Sequence, residues 1–244
     1  MFALYKKEVQ SYFLSPFAYV VSALFLMVFS LFFINAISTM KSNVLSFSFP
    51  RDIFYGNFFY FIFMIPLLTM RIFAEERKAH TETLWLSAPI TITKVVLAKF
   101  FAVCTVFLLM MLLTLFFPLV AFWHGAVIVP TMLCGYIGFI LWGFVCIAIG
   151  MMMSALTDNP IIAAVLGEGA MIVVLFLDNF TDTALIQSMP PVAKVFEWFS
   201  TERRFGIFAL GLFRLSDLVF FLSLCAVVLV WTVIIIEKRR WSRG

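Results

Sequence analysis

Long apolar runs separated by short polar segments dominate the chain, and six of them stand out: Phe17–Ile37, Phe54–Met70, Phe100–Trp123, Thr131–Ala155, Ile161–Leu177 and Leu218–Ile236. At ~1.5 Å rise per residue, helices of these lengths cross or nearly cross a hydrocarbon core of ~30 Å. The apolar residues come in unbroken stretches and not in the period-two alternation of a barrel strand. A helix also satisfies its backbone groups internally, as lipid requires. The pattern therefore predicts an all-α, polytopic membrane protein with six transmembrane helices, folded as a single domain over 1–244. The second and fifth runs are short, which allows either a thin crossing or a broken helix.

Punctuation supports these boundaries. Asp158-Asn159-Pro160 sets a capping side chain before a proline at the first helical position. Ser216-Asp217 is a start signal for the last run, which ends in Glu237-Lys238-Arg239-Arg240-Trp241. Ser15-Pro16 breaks the chain ahead of the first run. No A-x-A-like site ends that run, so it is expected to be a retained span and not a cleaved leader.

Composition agrees: 64% of the residues are hydrophobic and 12% charged, against roughly 45–50% and about 25% in a soluble domain. Cys104, Cys134, Cys146 and Cys225 lie in or beside apolar runs without a C-x-x-C pair or a histidine cluster, so they are expected to be small apolar fillers. The net charge of +4 informs only through its distribution. With the N-terminus inside, cytoplasmic segments carry eleven of the seventeen Lys and Arg residues and the outer segments six, which predicts cytoplasmic N- and C-termini.

Outside the lipid, Phe2–Leu14 puts Phe2, Tyr5, Val9, Tyr12 and Phe13 on one helical face, with Lys6, Lys7 and Gln10 opposite. That is the pattern of an interfacial helix; the alternative is a plain extension of the first span. The most polar stretch is Arg71 to Pro89. In a helix continuing out of the membrane, Arg71 pairs with Glu75 and Glu75 with Lys78, and Thr81 caps a second short helix carrying Leu84 and Trp85. Such an arrangement is either a docking surface or a solvated loop. Between the fifth and sixth runs, Val192, Val195, Phe196 and Phe199 form an apolar stripe after Pro190-Pro191, and a second apolar stretch covers Phe205 to Phe213. Both are too short to span, which predicts an outer re-entrant helical hairpin.

Within the bundle, Gly143, Cys146, Gly150 and Ser154 make a small-residue stripe suited to close helix packing. Glu168 stands mid-run between Gly167 and Gly169. A charged carboxylate facing lipid there costs several kcal/mol, so it lines a path or gate, or is held in a buried hydrogen bond.

The segment Met70-Arg71 through Glu75-Glu76-Arg77-Lys78 to Thr81, Leu84, Ser87-Ala88-Pro89 and Lys99 resembles the cytoplasmic loop of ABC-2-type transporter permeases. It is closest to the gliding-motility-type branch, which shares a sixth-span start like Arg214-Leu215-Ser216-Asp217-Leu218. The resemblance covers nearly the whole chain. It implies the permease subunit of an ATP-binding-cassette exporter in the inner (plasma) membrane of a bacterial cell. Such a subunit pairs with a second permease, identical or not, and docks separate ATPase subunits that hold the ATP and Mg. It further implies that Glu75, Glu76, Arg77, Thr81 and Leu84 form the ATPase-coupling loop. The departure is Lys78-Ala79-His80, where the family more often has a glycine before the threonine, which puts the local turn in question. No G-x-x-x-x-G-K-[ST] phosphate loop occurs in the chain, so no nucleotide cofactor is expected on it and no enzymatic role. Two other readings stand beside it. One is a membrane anchor that recruits an ATPase for mechanical work. The other is a CAAX-type intramembrane protease built on Glu75-Glu76, which His80 and His124 oppose by falling on opposite sides of the membrane.

Overall fold

A computed structural model describes residues 1–40, 50–82, 90–123, 128–180 and 198–242. Among these, the regular structure is helical throughout. In chain order the elements are α1 (Phe2–Leu14), α2 (Pro16–Met40), a π-helical turn (Pro50–Phe54) leading into α3 (Tyr55–Thr69), α4 (Arg71–Lys78), α5 (Ile92–Thr114), α6 (Phe116–Trp123), α7 (Val129–Leu156), α8 (Pro160–Phe180), α9 (Thr201–Ala209) and α10 (Leu215–Ser242). Five helical runs are long and apolar enough to cross a membrane: Pro16–Ser38, Pro50–Lys78, Ile92–Trp123, Val129–Leu156 and Leu215–Arg239. Pro160–Leu175 is a shorter apolar helix. The chain is a multi-pass helical membrane protein, with five runs that meet the length of a span where the sequence predicts six.

Each break has a local cause. Ser15 is extended at ψ 124°, as a residue before proline must be, and it separates α1 from α2. Pro66 lies inside α3 and denies a hydrogen bond one turn back, while Thr69 Oγ1 donates to the Ile65 carbonyl at 3.0 Å. The helix turns at Met70 and continues as α4, so the polar segment is helical from Arg71 to Lys78, as the reading of a helix continuing beyond the second run expects. Between α5 and α6, Pro118 has no N–H for the Thr114 carbonyl, and Leu115 N–H bonds Leu112 instead at 3.2 Å. Asn159 Oδ1 accepts from Ile161 N–H at 3.0 Å, the expected cap at the start of α8.

α7 is the hub. Of its span-length window 67% is buried, against 28% for α10, and it packs on α3, α4, α5, α8, α9 and α10. The small-residue stripe is what lets the neighbours in: a Cβ at Gly143 would meet Phe107, and one at Gly150 would meet the Thr69 hydroxyl. In the half of the bundle that holds α9 an aromatic ladder fills the core, with Phe58 stacked on Trp142 at 4.7 Å and on Phe205 at 4.8 Å, and Phe61 on Phe139 at 4.3 Å. The outer faces of α2, α8 and α10 instead expose Ile34, Val165, Val173 and Trp231, as hydrocarbon-facing helices do. α9 is a short helix within the second apolar stretch, with Phe205 and Phe208 fully buried; the stripe from Val192 to Phe196, the other arm of the expected hairpin, lies outside the described residues. All four cysteines are unpaired, as expected.

Candidate functional site

α4 has no local N-cap, because Met70 precedes it and carries no capping oxygen. The orphan N–H groups of its first turn are met from the far side of the sequence. Ser154 Oγ of α7 accepts from Phe73 N–H and Ala74 N–H, both at 3.2 Å, and donates to the Met70 carbonyl at 3.0 Å. One hydroxyl thus pins the joint between α3 and α4 to the end of α7. In return Arg77 Nη1 donates to the Ala155 and Thr157 carbonyls at 3.0 and 2.9 Å, satisfying the C-terminus of α7. Arg239 of α10 reaches the same terminus, donating to the Leu156 carbonyl at 2.7 Å.

The C-terminus of α4 closes in a Schellman motif. Thr81 N–H bonds the Glu76 carbonyl at 2.9 Å and His80 N–H bonds Arg77 at 3.0 Å. The residue that must turn left-handed for this is His80, at φ 55°, where the resembled family has a glycine. Thr81 Oγ1 donates back to the Glu76 carbonyl at 3.2 Å and closes α4; Glu82 after it is helical, and the Leu84 and Trp85 of the expected second short helix lie outside the described residues.

Beneath α4 lies the strongest electrostatic feature of the chain. Lys99 of α5 is 1% exposed, and its ammonium meets Glu76 of α4 at 2.9 Å, Glu8 of α1 at 3.1 Å and the Ile72 carbonyl at 3.1 Å. Those partners use all three of its donors. The Phe73 ring covers it at 5.4 Å. A buried charge is tolerated when it is paired and hydrogen-bonded, and here the pairing ties three helices together. Tyr12 strengthens the joint by donating to the Leu68 carbonyl at 3.0 Å. Burial, then the nearby charges of Glu8 and Glu75, push its phenol well above the ordinary tyrosine value, so it stays a donor. Arg71 stacks on Phe17 at 4.2 Å and pairs with Glu75 at 4.0 Å. Between α1 and α4 a cleft of about 300 Å³ is lined by Lys7, Glu8, Ser11, Tyr12, Arg71 and Glu75.

The predicted site residues therefore separate. Glu75 and Thr81 are exposed on α4 and the turn after it. Glu76 and Arg77 point inward, with side chains 20% and 15% exposed, and bind α5 and α7; Arg77 also meets the buried Glu82 at 3.5 Å. Leu84 lies outside the described residues, as do Trp85 and Pro89. The expected pairing of Glu75 with Arg71 is present. Glu168 is half-buried on α8, far along the chain from this joint, and no hydrogen bond or ion pair reaches it from the described residues. The sequence alone marks Lys99 only as part of the resembled segment and Ser154 only as part of the small-residue stripe, and gives neither them nor Glu8 a role in the site. The available signal was a lysine inside Val95-Val96-Leu97-Ala98-Lys99-Phe100-Phe101, flanked on both sides by apolar residues.

At the opposite end of the bundle, Arg204 of α9 pairs with the buried Asp217 of α10 at 2.5 Å, donates to the Trp198 carbonyl and lies over Phe220 at 4.2 Å. Tyr55 of α3 donates to Glu202. α9 is thereby bonded to α3 and α10.

No family model and no curated protein matches the chain. What it does has to be argued from these two bonded ends and the apolar helices between them.

Proposed function

We propose that the chain is the membrane-spanning permease subunit of an ABC-2-type ATP-binding-cassette exporter, driven by a separate ATPase subunit that docks on α4. The observation that carries this reading is the way α4 is mounted. Its exposed side offers Glu75 and Lys78 to a partner, while its buried side is bonded to α1 and α5 through Lys99 and to α7 through Ser154 and Arg77. A force on the exposed side is passed to these helices without a flexible link. A solvated loop has no use for a buried lysine and a cross-bundle cap. In this reading Glu75 and Thr81 recognise the ATPase, Leu84 extends the same surface, and Glu76 and Arg77 transmit.

Six crossings with both termini cytoplasmic belong to the same proposal. The bond from Arg239 to Leu156 sets the end of α10 beside the end of α7. In this reading α10 starts on the other membrane face and the chain crosses once between them. α8, 21 residues from Pro160 to Phe180, is the helix available to do it. α8 also exposes Ile161, Val165 and Val173 beside Glu168 and Gly169. A half-exposed carboxylate is costly against lipid. We therefore assign this face to a second permease subunit or to the path between the two, with Glu168 as the gating candidate.

Charge reversal at Glu75 tests the docking role. Glu75→Lys is expected to lower co-purification of the ATPase while membrane insertion stays intact, and undiminished co-purification would overturn it. Glu168→Gln is expected to change transport or substrate-stimulated ATP hydrolysis; a change in thermal stability alone would assign Glu168 to the fold.

A further inference from the structure

We propose that the cleft between α1 and α4 binds the phosphoethanolamine headgroup of a phospholipid, its phosphate on Lys7, Ser11 and Arg71 and its ammonium on Glu75. The inference rests on the membrane embedding and does not depend on the transport reading. Besides these four residues the cleft is lined by Phe17 and Ala18, the first turn of α2.

The polar lining divides into groups that are already bonded and groups that are not. Tyr12 donates to the Leu68 carbonyl, Ser15 Oγ accepts from Phe17 N–H, Thr81 Oγ1 donates to the Glu76 carbonyl, and Glu8 and Glu76 both hold Lys99. By contrast, no hydrogen bond reaches Lys7 Nζ, Ser11 Oγ or the Arg71 guanidinium from the described residues. Lys7 and Ser11 stand one helical turn apart on α1. Arg71 lies over the Phe17 ring at 4.2 Å, which occupies the face of the guanidinium and leaves its in-plane donors open. Its ion-pair partner Glu75 is 4.0 Å away, beyond hydrogen-bond length. An ammonium, a hydroxyl and a guanidinium fork facing one cleft are donors matched to the acceptor oxygens of a phosphate.

Charge selects the other half of the ligand. With Lys99 counted behind Glu8 and Glu76, the cations Lys7, Arg71 and Lys99 balance the carboxylates Glu8, Glu75 and Glu76, and a bare phosphate would upset that balance. A headgroup that brings its own cation restores it. Glu75, its side chain 58% exposed, is the carboxylate placed to receive that cation. Size agrees: at ~30 Å³ for each non-hydrogen atom, the volume share of a water, the cleft of about 300 Å³ has room for about ten, and phosphoethanolamine has about eight. Position makes the ligand a lipid. Phe17 and Ala18 open the span Pro16–Ser38, whose Tyr19, Val20, Leu24 and Met27 are exposed to hydrocarbon. A cleft at the mouth of a span lies at the level of the headgroups.

The experiment uses the purified full chain, delipidated in detergent, titrated with dioleoylphosphatidylethanolamine and read by native mass spectrometry. One lipid is expected to bind several-fold more tightly than those that follow. It is also expected to bind several-fold more tightly than dioleoylphosphatidylcholine, whose quaternary ammonium has no proton for Glu75, or dioleoylphosphatidylglycerol, which brings no cation. Lys7→Gln with Arg71→Gln removes two charged donors and is expected to weaken this first binding about ten-fold or more. Lys6→Gln with Lys94→Gln, exposed lysines outside the cleft, is expected to leave it unchanged. Glu75→Gln is expected to remove the preference over phosphatidylglycerol, and Ser11→Ala to weaken all three lipids alike. The comparison of the three lipids on the unmodified chain stands even if the cleft variants do not fold. Equal affinity for the three would overturn the proposal, as would equal weakening by the two double variants. Displacement of the lipid by an equal concentration of glycerophosphoethanolamine would make a soluble compound the ligand and overturn the lipid assignment.

Discussion

A lysine ammonium has three protons to donate, and at Lys99 a carboxylate from α1, a carboxylate from α4 and a backbone carbonyl take all of them. With two carboxylates around one cation, either can be lost and a neutral pair remains. Losing both strands a buried charge, which costs about 3–5 kcal/mol. The stability losses of Glu8→Gln and Glu76→Gln are therefore expected to be small singly and far greater than additive together, as read from thermal unfolding in detergent; additive losses would contradict the triad. His80 supports a second prediction at this scale. Its left-handed backbone costs an ordinary residue roughly 1–2 kcal/mol, which glycine avoids and a β-branched residue makes worse. Melting temperatures should fall in the order His80→Gly, unmodified, His80→Val. The residue types at this turn were legible, since the resemblance expects glycine at the position that proves left-handed. Lys99 was not, because a charge at the rim of an apolar run reads as the end of the span, and nothing local announces that its partners arrive from Glu8 and Glu76.

Among the elements, α7 decides the packing, and its glycines are the places to test it. A Cβ at Gly150 would lie 2.1 Å from the Thr69 hydroxyl, so Gly150→Ala must push α3 off α7 at a cost of about 1–3 kcal/mol. Thr69→Ala should recover part of that loss. Gly169→Ala, where nothing lies within 4 Å, should not lower the stability of the isolated subunit, because alanine is the better helix former. Thermal unfolding of these variants checks the set, and equal losses at the two glycines would contradict the packing. The helices, the Ser15-Pro16 break, the Asn159 cap and the small-residue stripe could all be read from the sequence because each rests on local chemistry. The length of α5 and the burial of Ile72, Phe73 and Ala74 in α4 could not. Charges at Lys94, Lys99 and Arg71 to Lys78 mask apolar faces that only the neighbouring helices reveal.

For the whole molecule, the proposal turns on an odd or even number of crossings between α4 and α9. Single cysteines at Lys78 and Leu212, both exposed, are expected to react with an impermeant maleimide from opposite sides of the membrane. Reaction from the same side would show that α8 does not cross. The six-run count came from apolar length alone, and the fifth run is the one where length is least decisive.

The central claim is that α4 is where an ATPase takes hold of this bundle. The most direct measurement places a photo-reactive amino acid at Glu75 in cells and identifies what it captures by mass spectrometry. The account predicts an ATPase subunit carrying a G-x-x-x-x-G-K-[ST] loop, with the yield changing when ATP is withheld. Capture of lipid alone, or of no nucleotide-binding protein, would contradict it.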